Sequence, residues 1–118
     1  MYSREQYNKD RKIATEFYEE VKRDLSKAEA TLRIYEAYQK GIENIITENV
    51  AAGDSLEYIT DLFLPEMEEI AEKIIDANIS LEQEKLSFKT ANYILDQASE
   101  IFGKMLAAEK RGTAAHGN

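Results

Sequence analysis

Three groups of residues in this chain have side chains capable of chemistry: one histidine, His116, five positions after Arg111; 23 carboxylates; and seven tyrosines. A two-metal centre in a helical bundle needs inward-pointing glutamates and a Glu-x-x-His pair on two helices, which a single histidine in the patternless tail does not supply. The absence of cysteine removes thiolate ligands and disulfides together. Nucleotide chemistry has no glycine-rich loop or Gly-Lys-Ser/Thr motif to work with. The carboxylates are numerous, but none falls on an apolar helical face, where burial would tune it for acid or base work. The expectation is therefore no enzyme, no catalytic residue, no metal and no cofactor.

One spacing stands apart. Arg111-x4-His116 resembles the Arg-x4-His motif of the helical ribonuclease domains known as HEPN, and the resemblance covers six residues. It implies RNA cleavage by that pair. In the family the motif starts a helix within the bundle, whereas here it trails off the end of a patterned segment, beside Gly112 and Gly117.

The elements that would position these groups are helices. From Ala14 to Ile46 a seam of Ala14, Tyr18, Val21, Leu25, Ala28, Leu32, Tyr35, Gln39, Ile42 and Ile46 advances by alternate steps of four and three, the heptad signature. Ser3 with Gln6 reads as a capping box, and Ala51-Ala52-Gly53-Asp54 holds a C-cap glycine, so a first helix is expected over about 3–50. Ile34, Tyr38, Gly41 and Ile45 form a second stripe on it, which predicts two neighbours for its C-terminal half and one for its N-terminal half. Asp54 with Glu57 is expected to open a second helix over 54–77, kinked at Pro65, and Ser80 with Gln83 a third over 80–111. Residues 113–118 have no pattern and are expected to be a disordered tail, which leaves 1–112 as a single helical domain.

The fold class expected is all-α: a long N-terminal heptad-patterned helix with two shorter antiparallel helices. On these lengths helices 2 and 3 leave residues 3–26 uncovered at 1.5 Å per residue. Ile13, Phe17, Tyr18, Val21 and Leu25 then become a self-association interface, and a homodimer is expected. The alternative is a four-helix up-and-down bundle that turns near Ser26, where Ser26-x-x-Glu29 offers another capping box.

Charge bounds the partners. The chain is 32% charged with a net charge of −8, and residues 51–79 hold eight acids against Lys73 alone. Asp54, Glu57, Asp61, Glu68, Glu72 and Asp76 project from one side of the second helix, either as a solvated face or as an acidic docking face. Net negative charge disfavours direct contact with nucleic acid and with anionic lipid. No window approaches the roughly 20 apolar residues of a membrane span, and the polar opening residues lack the apolar run of a secretory signal, so a cytoplasmic location is expected. The function expected is protein–protein association by an oligomeric scaffold, adaptor or small chaperone acting through apolar seams. The other reading is an acidic inhibitor or nucleic-acid mimic occupying a basic groove on a target protein.

Overall fold

The computed structural model describes residues 3–116, with side chains through residue 112. The chain is all-α, with two helices and no strand among the described residues: α1, Arg4–Ala51, and α2, Leu56–His116. Ser3 caps α1, its Oγ accepting a hydrogen bond from the Gln6 amide at 3.1 Å. The helix then runs unbroken through Ser26, so the turn of the four-helix alternative is not present. At its other end Gly53 takes φ +108°, and its amide bonds to the Val50 carbonyl while the Asp54 amide bonds to that of Asn49. This pair of bonds is the Schellman arrangement, and only glycine enters it without a Cβ penalty. Ser55, and not Asp54, caps α2: its Oγ accepts from the Tyr58 amide at 3.4 Å.

The larger correction concerns the second and third helices, which are one. No break occurs at Asn78-Ile79-Ser80. The Asn78 side-chain Nδ2 donates to the Ile74 carbonyl at 3.0 Å, within the one helix. Ile74, Ala77 and Leu81 keep the four–three spacing across this point, and Ala77 and Leu81 are buried, so ending the helix would lift them from their packing. Pro65 lies on the exposed side of the same helix and does not interrupt it. Nor does Gly112 stop it. Glycine costs a helix about 1 kcal/mol relative to alanine, and Ala107, Ala108, Ala114 and Ala115 around it are the best helix formers. The expected tail is thus helical through His116, and Gly117 and Asn118 lie outside the described residues.

The chain divides into two compact units, Met1–Asp24 with Lys85–Asn118, and Leu25–Glu84. In the first, the opening half of α1 lies antiparallel to the closing half of α2. Tyr7, 2% exposed, stacks on Phe102 with ring centroids 4.7 Å apart, and its hydroxyl donates to the Ala98 carbonyl. Farther along α1, Tyr18 meets Phe88 at 5.4 Å. The Arg11 guanidinium sits 5.4 Å from the Phe102 centroid, and Arg4 pairs with Glu109 at 3.7 Å. In the second unit, the rest of α1 and the start of α2 form a hairpin about Gly53, with Ile42, Ile59, Ile70, Ala77 and Leu81 buried.

Every position of the expected α1 seam from Ala14 to Ile46 is buried or half-buried. On α2 the less exposed positions run Phe63, Met67, Ile70, Ile74, Ala77, Leu81, Glu84, Phe88, Ala91, Leu95, Ala98, Phe102 and Met105, in steps of four and three throughout. Small residues recur in both seams at Ala14, Ala28, Ala77, Ala91 and Ala98, which allows the backbones in each unit to approach closely.

Candidate association surface

Heptad letters locate what the seams leave outside. With Tyr18, Leu25 and Leu32 of α1 and Ile74, Leu81 and Phe88 of α2 at a, and Val21, Ala28, Ile70 and Ala77 at d, antiparallel pairing places the g positions of one helix beside the g positions of the other. The two flanks of each unit carry different residues. On the e side α1 carries Thr15, Lys22, Glu29, Glu36 and Glu43, and α2 carries Leu64, Ala71, Asn78, Lys85, Asn92, Ser99 and Leu106. On the g side, together with the adjoining c positions, sit Ile13, Phe17, Ile94 and Ile101 in the first unit and Ile34, Tyr38 and Ile45 in the second.

These side chains are open to solvent. Ile13 is 60% exposed, Ile34 66% and Tyr38 57%, and Phe17, Ile45, Ile94 and Ile101 are each at least 40% exposed. A Cβ added at Gly41, between Tyr38 and Ile45 on the same stripe, would meet no atom within 4 Å. The stripe from Ile34 to Ile45 therefore has no second neighbour within its unit, contrary to the two expected for that half of α1.

Two grooves lie on this flank of the hairpin unit. One, of about 200 Å³, is lined by Ile34, Tyr35, Tyr38, Glu66, Glu69, Ile70 and Lys73. The other, of about 340 Å³, is lined by Ala28, Thr31, Tyr35, Lys73, Asp76, Ala77 and Ser80. Small side chains at Ala28, Thr31, Ala77 and Ser80 leave the second one open. Lys73 borders both, its ammonium 3.2 Å from Glu69 and 5.9 Å from the centre of the Tyr35 ring. The hydrogen bond that Lys73 donates to Glu69, then the charge of that carboxylate, holds the Lys73 pKa above the ordinary lysine value.

The residues expected to self-associate separate into two sets. Val21 is buried within its unit and Tyr18 is packed on Phe88, while Leu25 is half-buried in the hairpin seam; Ile13 and Phe17 stay on the open flank. The ground for assigning residues 3–26 to another chain was the absence of a helix to cover them, and in the first unit α2 covers residues 4–24. Ile94 and Ile101 belong beside Ile13 and Phe17, a grouping the sequence carries only once α2 is known to continue past Ser80. Asp54, Glu57, Asp61, Glu68, Glu72 and Asp76 are all exposed. Of these, Asp76 borders the second groove.

Arg111 is exposed and its Nε donates to the Ala107 carbonyl at 3.4 Å, while the His116 side chain lies outside the described residues. Among the described residues no group of three or more His, Asp or Glu is placed to hold a metal ion, and no helix is long and apolar enough to cross a membrane. Comparison of the chain with protein-family models, with curated proteins and with solved structures finds no match.

Proposed function

We propose that this chain is a non-enzymatic association module, a scaffold or adaptor, that works by burying its g flank against further helices in a coiled-coil or bundle arrangement. The observation that carries this reading is the exposure of large apolar side chains at c and g positions in each unit, Ile13, Phe17, Ile94 and Ile101 in one and Ile34, Tyr38 and Ile45 in the other; Leu64, Ile75, Ile79, Leu86 and Tyr93 are exposed at other positions of α2. Scattered surface apolar residues need no explanation, but a stripe at heptad spacing marks an interaction site. Fully burying one such side chain is worth about 1.5–3 kcal/mol, so four or five of them supply the scale of a stable association after its entropic cost. The surface area points the same way. The chain exposes 9028 Å², against about 6,500 Å² for a folded monomer of its mass.

The test compares wild type with an Ile94→Gln, Ile101→Gln variant in two measurements: mass in solution by light scattering, and affinity capture from the source cell. Loss of self-association or of a captured chain, with helicity unchanged, supports the flank. If wild type stays monomeric at high micromolar concentration and the variant captures the same chains as wild type, the reading fails.

A further inference from the structure

We infer that the flank of the hairpin unit docks a basic amphipathic helix of another protein, its apolar side chains on the bank formed by α1 and its lysines or arginines along the bank formed by α2. The inference rests on the association reading above, adds the class of partner, and concerns the unit Leu25–Glu84 alone.

The two banks differ in chemistry. On α1 the c and g positions supply Ile34, Tyr38 and Ile45, each at least 40% exposed, and the two charges among them, Lys27 and Glu48, cancel. On α2, past the exposed Leu62, the same positions carry Glu66, Glu69 and Asp76 against Lys73. Lys73 is tied to Glu69 at 3.2 Å, whereas among the described residues Glu66 and Asp76 form no ion pair. One unmatched carboxylate therefore stands at each groove, Glu66 at the one of about 200 Å³ and Asp76 at the one of about 340 Å³. The two residues lie about 15 Å apart along α2, so cations three turns apart on a docked helix reach both. The Tyr35 ring already holds an ammonium, that of Lys73, at 5.9 Å, and the exposed Tyr38 ring lining the same groove offers a second aromatic face to a cation.

Charge selects the partner. The hairpin unit as a whole holds four basic and fourteen acidic residues, a balance of −10, which draws a basic segment toward the flank and repels nucleic acid and anionic lipid. A second copy is the less favoured occupant. At c and g positions the terminal unit carries Asp10, Glu20 and Asp24 against Lys104 and Arg111, and the hairpin unit carries four acids against two bases, so either flank of a copy arrives net acidic. Self-association through this surface works against charge and strengthens as salt screens it, while a basic helix binds with charge and weakens in salt. The α2 bank from Leu62 to Gln83 is about 31 Å long, the length of a three-heptad helix. Such a helix laid between the banks meets apolar surface on one side and carboxylates on the other, the helix-in-groove mode of recognition.

The experiment titrates the full chain into dilute, fluorescently labelled synthetic helices of three heptads and reads anisotropy at low and high salt. One peptide has leucine at its apolar positions and lysine elsewhere; a second replaces the lysines with glutamine, and a third replaces the leucines with glutamine and keeps the lysines. The leucine–lysine peptide should bind about tenfold more tightly than either of the others, with its advantage over the leucine–glutamine peptide shrinking at high salt. Glu66→Gln, Asp76→Asn should weaken the leucine–lysine peptide about tenfold and leave the leucine–glutamine peptide unchanged, whereas Ile34→Gln, Tyr38→Gln should weaken both. Circular dichroism confirms that each variant stays helical. Equal binding of the leucine–lysine and leucine–glutamine peptides overturns the inference, as does equal binding of the two lysine peptides. So does a loss on neutralising Asp61, Glu68 and Glu72, on the opposite side of α2, as large as the loss from Glu66 and Asp76. If the leucine–lysine peptide does not bind while the chain self-associates and Ile94→Gln, Ile101→Gln abolishes that, the association reading stands and the basic partner falls.

Discussion

Removing Tyr7 tests the packing of the terminal unit most severely. Its ring is 2% exposed and stacked on Phe102, and its hydroxyl donates to Ala98 on the opposite helix. Tyr7→Ala gives up the burial of an aromatic side chain and leaves a cavity, a change that costs about 3–5 kcal/mol in well-packed interiors. A seam only two helices thick relaxes more readily, which sets the expectation at the lower end, about 3 kcal/mol. Tyr7→Phe keeps the ring and removes one hydrogen bond, for a loss of about 1 kcal/mol. Urea unfolding followed by circular dichroism, at one fixed protein concentration so that association does not confound the comparison, measures both. Amide exchange should show the loss concentrated in residues 4–24 and 85–112. A Tyr7→Ala cost under about 1 kcal/mol, or equal costs for the two variants, would refute the stacked, hydrogen-bonded geometry.

Three further outcomes are expected. Gly53→Ala forces a Cβ into a φ of +108° and should destabilise the hairpin by about 1 kcal/mol in the same urea assay; a neutral result would mean that the turn is built differently. Glu69→Gln should lower the pKa of Lys73 toward the ordinary lysine value, seen by NMR titration of its Nζ, since Glu69 is the first cause of the upward shift. Because that pKa is raised in the fold, the contribution of the pair is present below the unfolded lysine pKa and is lost as pH climbs through the folded one, so Glu69→Gln should act at neutral pH and not at strongly alkaline pH. Reversing Asp61, Glu68 and Glu72 to lysine should leave helicity intact and shift stability by less than about 0.5 kcal/mol each, as these side chains are exposed; unfolding of the isolated chain would make the acidic face structural.

The seams were legible because the four–three spacing is the direct imprint of one helix lying along another. Tyr7 was missed, although it lies seven residues before Ala14, because Arg11 interrupts the apolar run between them. The continuity of α2 was missed for a related reason. Ser80 with Gln83 has the composition of a cap, and a cap is a local signal that a helix overrides when its packing continues, as Ala77 and Leu81 do on either side. The step of four between those two residues was itself the evidence for a single helix. Reading a break at Ser80 left residues 3–26 without a partner and directed the expected dimer contact to Val21 and Leu25, which the seams take up, and away from Ile94 and Ile101, which they do not. Function is far less legible, since an exposed apolar stripe carries no chemistry of its own.

The central claim is that the flank associates and the seam does not. Methyl NMR of an isoleucine-labelled chain over a dilution series reads both at once, since Ile13, Ile34, Ile94 and Ile101 report the flank while Ile42 and Ile70 report the buried seam. The account predicts that the flank methyl groups shift with concentration and the seam methyl groups hold still. Flank signals that are constant up to high micromolar concentration, or seam signals that move first, would contradict it.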